Sequence, residues 1–197
     1  MTARIREKAT YEDLLKVPDT MVAELIDGEL YSSPRPAGPH SVATSVLVGD
    51  LNPAYQRGRG GPGGWWILIE LELHLGYDVL VPDIAGWRRE RMPEVPLSHV
   101  FSIAPDWVCE VLSPSTMRID RAKKLRVYAE HDVTYAWLID PVERFLEVKR
   151  LENGRWTDLK VFIGNDKVIA EPFPEVEIDL TDIWGQTPED ASPLPTP

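Results

Sequence analysis

Only one cysteine, Cys109, occurs in the 197 residues. That excludes an internal disulfide and any zinc site built from several thiolates. No apolar run approaches the roughly 20 residues that a membrane-spanning helix needs, so no membrane partner is expected. The opening M-T-A-R-I-R-E-K carries charges without the apolar stretch that follows them in a secretion signal. Together these absences lead to the expectation of a cytoplasmic protein. No internal repeat is visible. The glycine-rich stretch G-R-G-G-P-G-G lacks the Lys-Ser/Thr pair of a phosphate-binding loop, and it leads into a strand pattern, so it is weak evidence for a nucleotide site.

An excess of positive charge is also missing. The net charge is −11, which at first sight argues against a nucleic-acid partner. Its distribution matters more than its sum. Residues 151–197 hold ten acids and three bases, which leaves a net −4 for residues 1–150. Within that part, the run Arg118–Arg126 carries five bases against Asp120. Such a run fits a solvated helix face, and it also fits a phosphodiester site.

What is present is ordinary globular material, 43% hydrophobic and 27% charged. The length suits one domain with a real core. We expect that domain over 1–185, its core over about 40–140, and a disordered tail over 186–197, where Pro, Thr, Ser and acids dominate. A capped short helix is expected after Thr10, then a hairpin around Asp27-Gly28, then a helix over 40–56 that Pro53 interrupts near its end. Alternation from Trp65 to Leu75 predicts one long strand, and Val79 to Trp87 a second running back. Residues 88–101 read as a surface loop. A third strand over 106–112 precedes a helix over 113–130 and a fourth strand over 133–139, and Asn153-Gly154 centres a further hairpin. The fold class is therefore α/β (α+β), a mixed central sheet flanked by helices, with additional β-hairpins at both ends.

Two carboxylates stand out because of their surroundings. Asp83 lies in V-P-D-I-A and Glu110 in W-V-C-E-V-L, both strongly apolar. An unpaired charge is costly to bury, so each requires a partner. Val81, Asp83, Ala85 and Trp87 share one face of the second strand; Asp106, Val108, Glu110 and Leu112 share one face of the third. If the two strands are neighbours in suitable register, Asp83 and Glu110 meet. A hard cation such as Mg²⁺ takes oxygen ligands and keeps several waters, so two such carboxylates plus a backbone carbonyl suffice. A lysine nearby would orient the attacking water or stabilise the phosphate.

These residues carry a resemblance. A-E-L-I-D-G-E-L at 23–30, P-H at 39–40, V-P-D-I-A at 81–85, P-D-W-V-C-E-V-L-S-P-S-T at 105–116, D-R-A-K-K-L-R-V-Y-A at 120–129 and W-L-I-D-P at 137–141 resemble the Uma-two family of restriction-type endonucleases, within the PD-(D/E)XK nuclease superfamily. The resemblance covers about residues 10–150. It implies a restriction-endonuclease-like core and a metal-dependent endonuclease acting on DNA, with Mg²⁺ or Mn²⁺ on Asp83 and Glu110 and Lys124 at the attacking water. The superfamily's plain form has its lysine two residues after the acid, where this chain has Leu112; the match is instead Lys124 on the next helix. Asp120, Lys124 and Tyr128 are four apart and line one helical face, whereas Lys123 leaves the helix about 100° away. The chain departs from the family at Asp132, where glycine is usual, and at Ala136 before Trp137.

Competing readings stand beside these. Asp83 also fits a turn cap, Glu110 a structural ion pair with Lys124, and Lys124 an exposed helix face. Glu24 matches the family's early glutamate and fits a water-mediated approach to the metal; His40 fits a phosphate contact or a helix cap. Glu70 and Lys123 are further accessory candidates. The main alternative is a non-catalytic binding or regulatory protein on the same fold; a glycosidase using the Asp83–Glu110 pair in an aromatic-lined cleft ranks behind both. Two cuts in a duplex make a homodimer the expected assembly.

Overall fold

The computed structural model describes residues 8–36 and 38–185, so the tail over 186–197 lies outside the described residues. Helix α1 (Tyr11–Leu14) is closed by a reciprocal cap. The Thr10 hydroxyl accepts from Asp13 N, and the Asp13 carboxylate accepts from Thr10 N. Strands β1 (Met21–Ile26) and β2 (Glu29–Pro34) form the expected hairpin. Asp27 and Gly28 both take positive φ, 58° and 75°, the conformation of a two-residue turn that matches strand twist. Helix α2 (Gly38–Leu51) buries Ala43, Leu47 and Leu51, spaced by four. It then widens into a π-helical turn, Asn52–Gln56. Pro53 has no N–H for the regular helical ladder, which accounts for the change of pitch there.

The next stretch corrects an expectation. Hydropathy does alternate from Trp65 to Leu75, but Ile69 is exposed and Glu70 takes φ 45°, which breaks the strand in two. The halves, β3 (Trp65–Ile69) and β4 (Glu72–Leu75), lie in different sheets. The returning segment divides at the same level. There β5 (Asp78–Leu80) pairs with β4, and β6 (Ile84–Arg88) pairs with β3. Asp83 therefore stands at the crossing between two sheets, just before β6. It is tied to the other break by Glu70 N, which donates to Asp83 O at 3.3 Å.

Residues 88–101 are not wholly surface loop: Met92 is buried, and β7 (Val100–Phe101) pairs in parallel with β4. After β8 (Trp107–Val111), the helix expected over 113–130 begins only at Met117. It comprises α3 (Met117–Ile119), a π-helical segment Asp120–Lys124, and α4 (Leu125–Glu130). Next come β9 (Tyr135–Asp140) and the hairpin of β10 (Phe145–Glu152) and β11 (Arg155–Ile163). A second hairpin, unforeseen in full, joins β12 (Lys167–Ala170) to β13 (Phe173–Asp179); α5 (Leu180–Trp184) follows.

The six-stranded sheet runs β11-β10-β9-β8-β6-β3, with only β8 and β9 parallel. The five-stranded sheet runs β2-β1-β5-β4-β7. One face of the larger sheet packs Trp65, Trp107, Cys109 and Trp137 against α2, α5 and β13. Phe173 sits among those rings, 4.8 Å from Trp107 and 5.0 Å from Trp65 in edge-on contacts. The other face packs Ala85, Trp87, Val108 and Leu138 against α4 and the smaller sheet. No helix among the described residues is long and apolar enough to cross a membrane.

Asp132, just past α4, takes φ 58° at an exposed position. A side chain there carries a Cβ cost that glycine avoids. Asp132→Gly should therefore raise stability by about 0.5–1 kcal/mol, read as a higher urea midpoint at unchanged slope.

Candidate active site

The antiparallel register of β6 and β8 pairs Ile84 with Cys109 and Ala85 with Val108. Extended by one residue, it sets Asp83 opposite Glu110. The Asp83 carboxylate accepts from Val111 N at 2.7 Å, which fixes it across the end of β8. Alternation sends Cys109 and Val111 into the core around Trp107, so Glu110 projects from the other face, toward α4 and β1. Asp83 and Glu110 line one cleft of about 350 Å³, together with Glu24, His40, Asp120 and Lys124. The cleft lies beyond the carboxyl ends of the two parallel strands, between Leu112–Thr116 after β8 and Pro141–Val142 after β9. That end is where open α/β sheets collect ligands.

Lys124 is the hub. Its ammonium donates to Glu110 Oε2 at 2.8 Å and to Val81 O at 3.1 Å. It also lies 3.1 Å from Glu24 Oε1 and 3.6 Å from Asp120 Oδ1. Glu24 is held in turn by Val81 N, which donates to it at 2.8 Å. The second Glu110 oxygen accepts from the Tyr128 hydroxyl at 2.5 Å. Glu110 is 1% exposed and Lys124 3%, whereas the Asp83 side chain is 18% exposed and is the more open of the two expected metal ligands.

Negative charge is in surplus here. Four carboxylates line the cleft with Lys124, His40 and Arg35, the last paired with Glu70. Burial works against the charge on Lys124, but Glu110 and Glu24 outweigh it and hold the amine well above its usual range. Burial pushes the Glu110 carboxyl well up, with Lys124 opposing. Asp120 is raised to about 6, again by burial against the pull of Lys124. His40 is raised because Asp83, 3.0 Å from its Nε2, overcomes the effect of burial, and its buried Nδ1 has no hydrogen-bond partner among the described residues. An all-oxygen donor set with surplus negative charge fits a hard divalent cation. No group of three or more His, Cys, Asp or Glu among the described residues is arranged to bind one ion. Asp83 and Glu110 are the two carboxylates that could hold one.

The accessory candidates separate. Glu24 and His40 are in the cleft. Glu70 is outside it, paired with Arg35 at 3.1 Å. Lys123 is outside too, 2.8 Å from Glu29 and stacked over Tyr31. The basic run over 118–126 is largely neutralised: Arg121 pairs with Glu147 through two bonds, and Arg126 with Asp27 and Glu130. Glu147 and Asp27 come from a strand and a turn far off in sequence, so composition did not foretell them; Glu130 is one helical turn away. Arg88–Arg91 and the glycine-rich stretch lie at the end of β3 and β6 away from Asp83, roughly 16 Å along the strand. Arg89 is committed there to Gln56 O and the Trp66 ring. No Trp, Tyr or Phe lines the cleft among the described residues, against the glycosidase reading. Asp120 and Tyr128 flank the Lys124–Glu110 pair as well, and their spacing of four from Lys124 is the sequence signal for it.

Asp120 supplies a test. Its carboxyl rises from 3.8 to about 6 on folding, so the folded chain binds the proton more tightly between those values. Its contribution to stability therefore falls as pH rises from about 4 to about 6 and stays low above. Asp120→Asn should raise the melting temperature at pH 7.5, and the gain should vanish toward pH 4.

No curated relative matches the chain. Among solved structures, the chain is similar to one described as "a putative nuclease belonging to DUF820" from Anabaena variabilis ATCC 29413, at 28% identity and a TM-score of 0.73, covering 89% of this chain and 97% of that one. The architecture is that of the restriction-endonuclease-like fold. The model of the Uma2 family, described as "Putative restriction endonuclease", matches residues 9–181, and the chain belongs to that family.

Proposed function

We propose that this cleft hydrolyses phosphodiester bonds in DNA as a metal-dependent endonuclease, with residues 1–185 as its single domain. The observation that carries the reading is the placement of Asp83 opposite Glu110, with Lys124 on Glu110, in one cleft of a chain from this family. Asp83 and Glu110 would hold Mg²⁺ or Mn²⁺, which when bound lowers the pKa of a coordinated water and offsets charge on the phosphate. His40 fixes the orientation of Asp83. Tyr128 fixes that of Glu110. Lys124 serves as an ammonium, positioning the attacking water or stabilising the phosphate; carboxylates on three sides keep it from acting as a base. A symmetric dimer would present two clefts to a duplex, and a cytoplasmic setting goes with the reading.

A second reading, a non-catalytic binding or regulatory protein, draws on one observation. Both Glu110 oxygens and the Lys124 ammonium are already satisfied by protein groups.

Plasmid nicking separates the two. The endonuclease reading predicts nicking that requires Mg²⁺ or Mn²⁺, is lost in Asp83→Ala, and falls by about 100-fold or more in Lys124→Ala. A folded wild type that does not nick plasmid with either ion, while Asp83→Ala matches it in every respect, supports the binding protein.

A further inference from the structure

The cation that neutralises Glu110 in this structure is Lys124. An ammonium has three N–H donors. Here they face Glu110 Oε2 at 2.8 Å, Val81 O at 3.1 Å and Glu24 Oε1 at 3.1 Å, in a position 3% exposed to solvent. Tyr128 occupies the other Glu110 oxygen. A divalent ion bridging Asp83 and Glu110 would have to share Glu110 with a positive charge already in contact with it. At contact distance inside a protein, that like-charge repulsion opposes ion binding. The structure also holds a second partner for the displaced ammonium. Asp120 lies four residues back on the π-helical segment that carries Lys124, lines the cleft, and sits 3.6 Å from Nζ, just beyond hydrogen-bond reach.

We infer that Lys124 is the resident counter-ion of Glu110 and competes with the divalent ion for it, so that ion binding draws the ammonium off Glu110 toward Asp120 and the cleft. Binding of the ion and delivery of the lysine are then one event. The inference rests on the reading that Asp83 and Glu110 hold the ion. It differs from a lysine that merely attends the water, because it requires Lys124 to oppose ion binding.

Calorimetric titration of Mn²⁺ tests it without any measure of activity. The comparison is wild type, Lys124→Met, and the charge-balanced double variant Lys124→Met/Asp120→Asn, each checked by thermal melting. Both variants should bind Mn²⁺ about ten-fold or more tightly than wild type, and adding Asp83→Asn should abolish the gain. The double variant matters because it removes one positive and one negative charge, so its gain reports loss of the contact with Glu110 and not a change in overall field. Equal or weaker binding by the folded double variant, beside clear binding by wild type, overturns the inference and leaves the metal site standing. No binding by any form overturns the metal site itself, and the inference with it. Should the variants not fold, the ¹⁵Nζ resonance of Lys124 in wild type decides: it should shift on addition of Mg²⁺, and an unmoved resonance in ion-saturated protein overturns the proposal.

Discussion

The ion pair between Lys124 and Glu110, closed off from solvent, is the constraint on which the site depends. A buried pair of this kind is weak evidence for stability, because desolvation offsets much of the attraction, yet removing one partner costs about 3–5 kcal/mol. Here the pair is also unbalanced. Glu24, Asp120 and Asp83 add carboxylates around a single lysine; His40 meets Asp83, and Arg35, which also lines the cleft, is paired with Glu70. A core selected for stability alone would have no reason to gather them. Titratable groups pushed far from their ordinary behaviour in a cleft mark a functional site more often than a structural one.

The fold brings this charge together by breaking its own strands. Glu70 and the segment before β6 both leave regular geometry at the level where the larger sheet gives way to the smaller. Asp83 stands in that gap, held by Val111 N and His40. Glu24 arrives from the smaller sheet, Glu110 from the larger, and Lys124 from the helix that crosses behind them. The cleft thus lies where three elements converge, and the rigid sheet fixes the two carboxylates whose spacing decides what can bind.

Much of this was legible in the chain. Asp83 and Glu110 announced themselves as charges inside apolar runs, and strand alternation placed Cys109 on the opposite face from Glu110. The spacing of four from Asp120 through Lys124 to Tyr128 marked one side of a helix, and the motifs pointed to the family. The break at Glu70 was not legible, because side-chain alternation continues across it from Ile67 to Leu73 and hydropathy records only which face is buried. Nor was the fate of the basic run: Glu147, Glu29 and Asp27 lie far away in sequence and meet Arg121, Lys123 and Arg126 only in the folded chain. The surplus of carboxylates around Lys124 was hidden for the same reason, since Glu24 is a hundred residues away.

Anomalous scattering from Mn²⁺-soaked crystals tests the central claim most directly. The account predicts a manganese peak in contact with both Asp83 and Glu110, with the Lys124 ammonium moved off Glu110 Oε2. Crystals that take up manganese elsewhere, or not at all, with the Lys124–Glu110 pair intact, would contradict it.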